Sequence, residues 1–158
     1  MVLFLERRYQ EAYEQLSAVI EMDSGFSEAY LCRSRVLLQQ HKYSEAIADL
    51  EMARRINPSS HTILPTLGYA YAISGRRSQA EASLRQMLAA ERDHAASPWG
   101  VGYVYLGLGN KGQALVWFRK AIDERSPDMF TIRVEPEVDV LRGDPRLDGL
   151  IAAMNLPR

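Results

Sequence analysis

Three glycines, Gly107, Gly109 and Gly112, fall in the stretch GLGNKG and fit G-x-G-x-x-G. In that pattern backbone amides approach a pyrophosphate closely, and a carboxylate about 20 residues further on holds a ribose hydroxyl. The flanks carry the same outline. Residues 101–106 are rich in β-branched and aromatic side chains, residues 113–122 suit a helix, and residues 129–134 offer a second strand closed by Glu135. Taken alone, the stretch describes a nucleotide cradle.

Other chemistries find less support. His41, His61 and His94 fall at turns between helical segments, never at i, i+4 on one face, and have no cysteine or paired carboxylates beside them, so no metal site is expected. Cys32 is the only cysteine, which leaves no internal disulfide and no cysteine-based zinc site; without a partnered histidine it reads as a packed thiol. The chain shows no Ser/His/Asp order, no H-E-x-x-H and no Walker lysine, so no catalytic residue, no cofactor and no enzyme is expected. A formal net charge of -1 with mixed signs along the chain offers no basic field for nucleic acid. The apolar run from Val2 to Leu5 ends at Glu6-Arg7-Arg8, too short for a signal peptide or a membrane span, so a cytoplasmic protein is expected.

The elements that must carry these residues have a period. Ala12, Ala46, Ala80 and Ala114 recur at one fixed interval, each followed four positions later by a large apolar side chain: Leu16, Leu50, Leu84 and Phe118. The preceding halves of two units align as Leu67-Gly68-x-x-Tyr71 and Val101-Gly102-x-x-Tyr105. The apolar spacing predicts paired amphipathic helices over 27–40 with 43–56, 61–74 with 77–91, and 97–108 with 111–124. Small residues at Ser34, Gly68 and Gly102 let each first helix approach the alanine of its partner, and Ser97-Pro98 is a cap followed by proline at the first helical position. Within that phase the two supposed strands lie in helices. Gly109 stands one full period after Gly75 and becomes the residue past a helix end, where a left-handed backbone favours glycine. The nucleotide reading is therefore set aside.

The quoted segments resemble the tetratricopeptide repeat family, W-x2-L-G-x2-Y followed by A-x3-F and a closing proline, with a period of about 34 residues. The interval between the alanines has that same length. The third and fourth units match best, with Leu64 and Pro98 in place of Trp; the second keeps Tyr30, Ser34, Leu37, Ala46, Leu50 and Pro58 but has Arg33 where leucine is usual; the first keeps only its second half, with 1–5 as a stub. The resemblance implies an all-α solenoid of antiparallel helix hairpins. It divides into an array over 1–126 (half repeat 1–26, repeats 27–60, 61–94 and 95–126) and a tail over 127–158. In the tail, Asp144-Pro145 starts a capping helix over 145–154, with Leu147, Leu150, Ile151 and Met154 on one face, ended by Asn155 and Pro157; residues 127–143 are an irregular connection with short helical turns. The tail is similar to the closing segment of tetratricopeptide regions in bacterial regulators, where a winged-helix, kinase or cyclase domain precedes the repeats. That implies a second reading: a regulatory fragment of a larger protein.

Function then rests on a surface. First helices of successive units line the concave side in such arrays, so residues one period apart become neighbours: Leu31, Pro65 and Trp99; Arg35, Tyr69 and Tyr103; Leu38, Ala72 and Leu106. Leu31, Arg35, Tyr69, Trp99 and Tyr103 are the expected partner-binding residues, the aromatics more open than Leu38 and Leu106. The family's two-carboxylate clamp is absent, because its Lys and Asn positions hold Leu31 and Arg35, with Thr66, Ala96 and Gly100 in later units. A protein partner is expected on this face, as an apolar or aromatic peptide or as a partner's helix. The half repeat is expected to leave Tyr13, Leu16, Val19 and Ile20 partly uncovered, a patch for self-association or for a preceding domain.

Overall fold

One alanine per repeat, always at the same point, allows two helix backbones to close on each other, and burial follows that phase: Ala46, Ala80 and Ala114 are fully buried and Ala12 nearly so. The structure, a computed structural model, describes residues 2–91 and 97–154. A short helix α1 (Val2–Leu5) precedes α2 (Tyr9–Met22). Three hairpins follow: α3 (Ser27–Gln39) with α4 (Tyr43–Ile56), α5 (Ile63–Ile73) with α6 (Arg77–Glu91), and α7 (Pro98–Gly107) with α8 (Lys111–Asp123). Each helix packs on its hairpin partner, and α2 on α3, α4 on α5 and α5 on α7 join the units into an all-α solenoid. The supposed strands of GLGNKG are part of α7 and the 3-10 turn after α8.

The turns repeat as strictly as the alanines. Arg7, His41, Gly75, Gly109 and Gly143 all have positive φ, between 59° and 82°, and each stands one period after the one before it. In the first four, the next amide bonds back to the carbonyl five residues before it, as in Asn110 N to Tyr105 O at 2.9 Å, which closes the helix end with a left-handed residue. Glycine is needed here only for its backbone: a Cβ on Gly109 would meet nothing within 4 Å. Gly102 answers to packing instead, since a Cβ there would lie 2.7 Å from the Phe118 ring and 3.1 Å from the Ala114 carbonyl oxygen. Gly68 lies closest to Val104 of the next unit and to Ser83 of its own hairpin partner. Arg33 is held by Asp49 of α4 through two bonds of 2.8 Å and by Ser17 of α2 at 3.2 Å, so the unusual arginine ties the half repeat to the first hairpin.

Beyond α8 the sequence pattern fades at Ser126, but the backbone phase persists to Gly143. Where a further first helix would run, two 3-10 turns occur, Pro127–Thr131 and Pro136–Leu141. Their prolines explain the break. Each forces the residue before it, Ser126 or Glu135, into an extended backbone and removes one amide donor. Helix α9 (Pro145–Ala153) follows, capped by Asp144, whose side chain accepts from the Arg146 amide; Leu147 and Leu150 pack into a cluster with Leu115 and Phe118 of α8. Asn155 and Pro157 lie outside the described residues. Ser97 occupies the capping position of α7, but its hydroxyl donates to Asp128 at 3.2 Å instead of capping the helix.

Candidate functional site

The inner face is organised by Arg35 on α3. Its guanidinium donates to both oxygens of Glu137 at 3.1 Å and to Glu135, residues that flank Pro136 in the tail. The three side chains are 16%, 0% and 9% exposed. Burial opposes the charge on Arg35, and the neighbouring Glu137, Tyr103 and Glu135 more than reverse this, so its pKa is raised. Burial also raises the pKa of Glu137, against the opposing pull of Arg35. An ion cluster of this kind does not by itself add much stability; removing one member leaves an uncompensated buried charge, which is costly. The tail is fastened again just beyond Glu137. Asp139 pairs with Arg7 at 2.7 Å, and the Lys111 ammonium donates to the Val140 carbonyl at 2.8 Å. The tail thus crosses the inner face from the last hairpin back to the first turn.

Beside this crossing runs an aromatic stack. Tyr69 of α5 lies on Tyr103 of α7 with centroids 4.3 Å apart, Trp99 is offset from Tyr103 at 6.3 Å, and Trp99 stacks on Phe118 of α8 at 4.7 Å. Tyr69 and Tyr103 are therefore not the open anchors that their spacing predicts. Both are buried, and burial raises their phenol pKa values above the ordinary 10. Arg35 is likewise occupied rather than open, held by the tail and by the Phe4 ring 4.4 Å beneath it. The period correctly makes these residues neighbours, but it carries no information about what covers them.

A groove of about 190 Å³ remains between the first helices and the tail. One wall is the row Leu31, Pro65 and Trp99, brought together as their spacing by one period requires; Arg35 and Tyr103 also line it, while Tyr69 does not. The opposite wall is Asp128, Thr131 and Glu135 of the tail. None of these three belonged to the expected site. Glu135 attracted notice only as a ribose ligand, and the signal that marks it is the Glu-Pro-Glu sequence opposite an arginine that stands where later units have tyrosine. Cys32 borders the same groove half-buried, its thiol directed at Glu28 at 3.7 Å; burial first, then the Glu28 charge, push its pKa up to about 11, so it stays protonated at neutral pH. Leu38 and Leu106 are buried in the stack.

Among the described residues no group of three or more His, Cys, Asp or Glu could hold a metal ion. His41 is placed against Tyr43 at 2.9 Å, His61 stands exposed at the rim of the groove, and His94 and Ala96 lie outside the described residues. Among the described residues no helix is long and apolar enough to cross a membrane. Tyr13, Leu16, Val19 and Ile20 are half-buried, beside an apolar groove of about 270 Å³ lined by Val2, Phe4, Leu16 and Val19.

A tetratricopeptide repeat family profile matches residues 4–61 and 66–129, more than half of the chain, and the chain belongs to that family. Repeats of this family generally mediate protein–protein interaction and typically form modules without catalytic activity. No curated protein shows significant similarity to the chain.

Proposed function

We propose that this chain is a non-catalytic interaction module that takes a segment of a protein partner, a peptide or a helix, into the groove between its first helices and its tail. The observation that carries the reading is the Trp99 wall: a half-exposed indole, braced on Phe118 and Tyr103, facing a groove with its carboxylates opposite. A rigid aromatic fixed in one orientation loses little entropy on binding, which is why such side chains dominate interfaces. Leu31, also among the expected partner-binding residues, is buried and forms the apolar floor beside it. Arg35, Tyr69 and Tyr103 act in this reading as the support that fixes the wall and the tail. The tail's resemblance to the closing segment of bacterial regulators supports a place in bacterial signalling, and the half-exposed Leu16 and Val19 support self-association as a secondary property.

The test is affinity capture from the native cell with the whole chain, comparing wild type with Trp99→Leu, which keeps an apolar contact on Phe118, and with Val116→Ser on an exposed position away from the groove. Loss of the captured partner with Trp99→Leu alone is expected. Equal loss in both variants, or in neither, contradicts the assignment.

A further inference from the structure

The polar atoms around the groove are not evenly divided between donors and acceptors. The Thr66 hydroxyl donates to the Thr62 carbonyl at 2.8 Å, the Ser97 hydroxyl to Asp128 at 3.2 Å, the Thr131 hydroxyl to the Asp128 carbonyl at 3.4 Å, and the Cys32 thiol to Glu28 at 3.7 Å. The Arg35 guanidinium is engaged by Glu135 and Glu137. These donors are directed into the protein. Facing the space are acceptors: the carboxylates of Glu28 and Asp128, neither in an ion pair among the described residues, and Glu135, which already shares one guanidinium with Glu137. Tyr103 adds a buried hydroxyl that meets no hydrogen-bond geometry although Glu137 is beside it. Among the described side chains lining the groove, three carboxylates face one arginine. The remaining wall is the Trp99 ring.

We infer that the groove receives a basic side chain, arginine or lysine, from an extended segment of the partner. A guanidinium or ammonium group is all donor and no acceptor, which suits a lining whose threonine, serine, cysteine and arginine donors are already engaged and whose carboxylates outnumber its arginine. A cation is also attracted by an indole face and by surplus carboxylate charge in a partly enclosed space. A groove of about 190 Å³ has room for one such side chain, which narrows the partner segment of the proposed function to an extended peptide. An acidic peptide meets repulsion from Glu28 and Asp128, and a purely apolar one takes their charge out of water without an opposing cation. The inference rests on the reading of the chain as an interaction module and names the chemistry of what it binds.

The test is selection of random ten-residue peptides displayed on phage against the whole chain, followed by binding of synthetic winners to wild type, Glu28→Gln, Asp128→Asn and Trp99→Leu. The two amide substitutions preserve size, and neither carboxylate holds an ion pair whose loss would unfold the chain. The expected result is enrichment of Arg or Lys at one fixed position, with affinity falling at least tenfold when Glu28 and Asp128 are both neutralised and less steeply in rising salt for that variant than for wild type. Peptides that need Trp99 but show no basic preference overturn this inference and leave the interaction module standing. Selection that yields no peptide sensitive to Trp99→Leu overturns both.

Discussion

Arg35→Met removes the one cation of the buried cluster while keeping a side chain of similar length over Phe4. Glu135 lines the groove and can regain water, but the Glu137 side chain is 0% exposed and has no such escape. Left without Arg35, it must either stay charged in a low-dielectric site or bind a proton. Protonation sets the ceiling. From the ordinary value of 4.5, taking up a proton at pH 7 costs roughly 3 kcal/mol, at about 1.4 kcal/mol per pH unit. That agrees with the range of about 3–5 kcal/mol for breaking a buried pair by removing one partner. At pH 5 the same proton costs under about 1 kcal/mol. Urea unfolding followed by far-UV circular dichroism reads the loss directly: with a slope of about 2 kcal/mol per molar, the midpoint falls by at most roughly 1.5 M at pH 7, less the part of the cost that burial of Glu137 already imposes on the wild type, and by well under about 0.5 M at pH 5. Adding Glu135→Gln and Glu137→Gln to Arg35→Met should recover most of the loss, because no buried charge then remains. No loss at pH 7, or no recovery when Glu135→Gln and Glu137→Gln are added, would refute the docking of the tail on Arg35.

Other consequences follow from single positions. In the wild type the pKa of Glu137 is raised by burial, so its favourable contribution is complete below about 4.5 and is lost as pH rises through the raised value; Glu137→Gln should remove that decline from urea midpoints measured between pH 4.5 and 7. Gly102→Ala must push aside the Phe118 ring or the Ala114 carbonyl and should cost about 1–3 kcal/mol, whereas Gly149→Ala, in helix α9 with nothing within 4 Å of the new Cβ, should stabilise by about 0.5–1 kcal/mol; thermal unfolding of the pair separates the two effects. Gly143→Ala also has open space but a φ of 82°, so it should cost about 1 kcal/mol in the same assay, and no cost would mean that the turn relaxes freely.

The hairpins were legible because burial repeats. Ala46, Ala80 and Ala114 announce close helix contacts, and Gly75 and Gly109 mark the turns. The tail was legible only in part. Asp144-Pro145 with Leu147 and Leu150 reads as a helix from local signals alone, and Pro127 and Pro136 explain the irregular stretch before it. What lies on the inner face was not legible. Arg35 meets Glu135 and Glu137 across 100 and 102 residues, a contact with no period and no local motif, so Tyr69 and Tyr103 looked open when they are covered. Trp99 fared differently and is half-exposed, while Leu31, its neighbour in the row, is buried like the tyrosines. Their row lies beside the tail's path instead of beneath it, and the spacing that made them neighbours also places them on the groove.

The two tryptophans allow a direct test of the groove as the binding surface. Trp99 lines it, while Trp117 on α8 packs elsewhere, against the cluster of Leu84, Met87, Val101 and Val104, and has the Lys120 ammonium 5.1 Å from its ring. Each indole gives one side-chain N–H signal in a proton–nitrogen correlation spectrum of the whole chain. Titration with a selected peptide or the captured partner should move the Trp99 signal progressively and leave that of Trp117 in place. Movement of Trp117 with Trp99 unchanged would put the binding surface elsewhere on the solenoid and contradict the account.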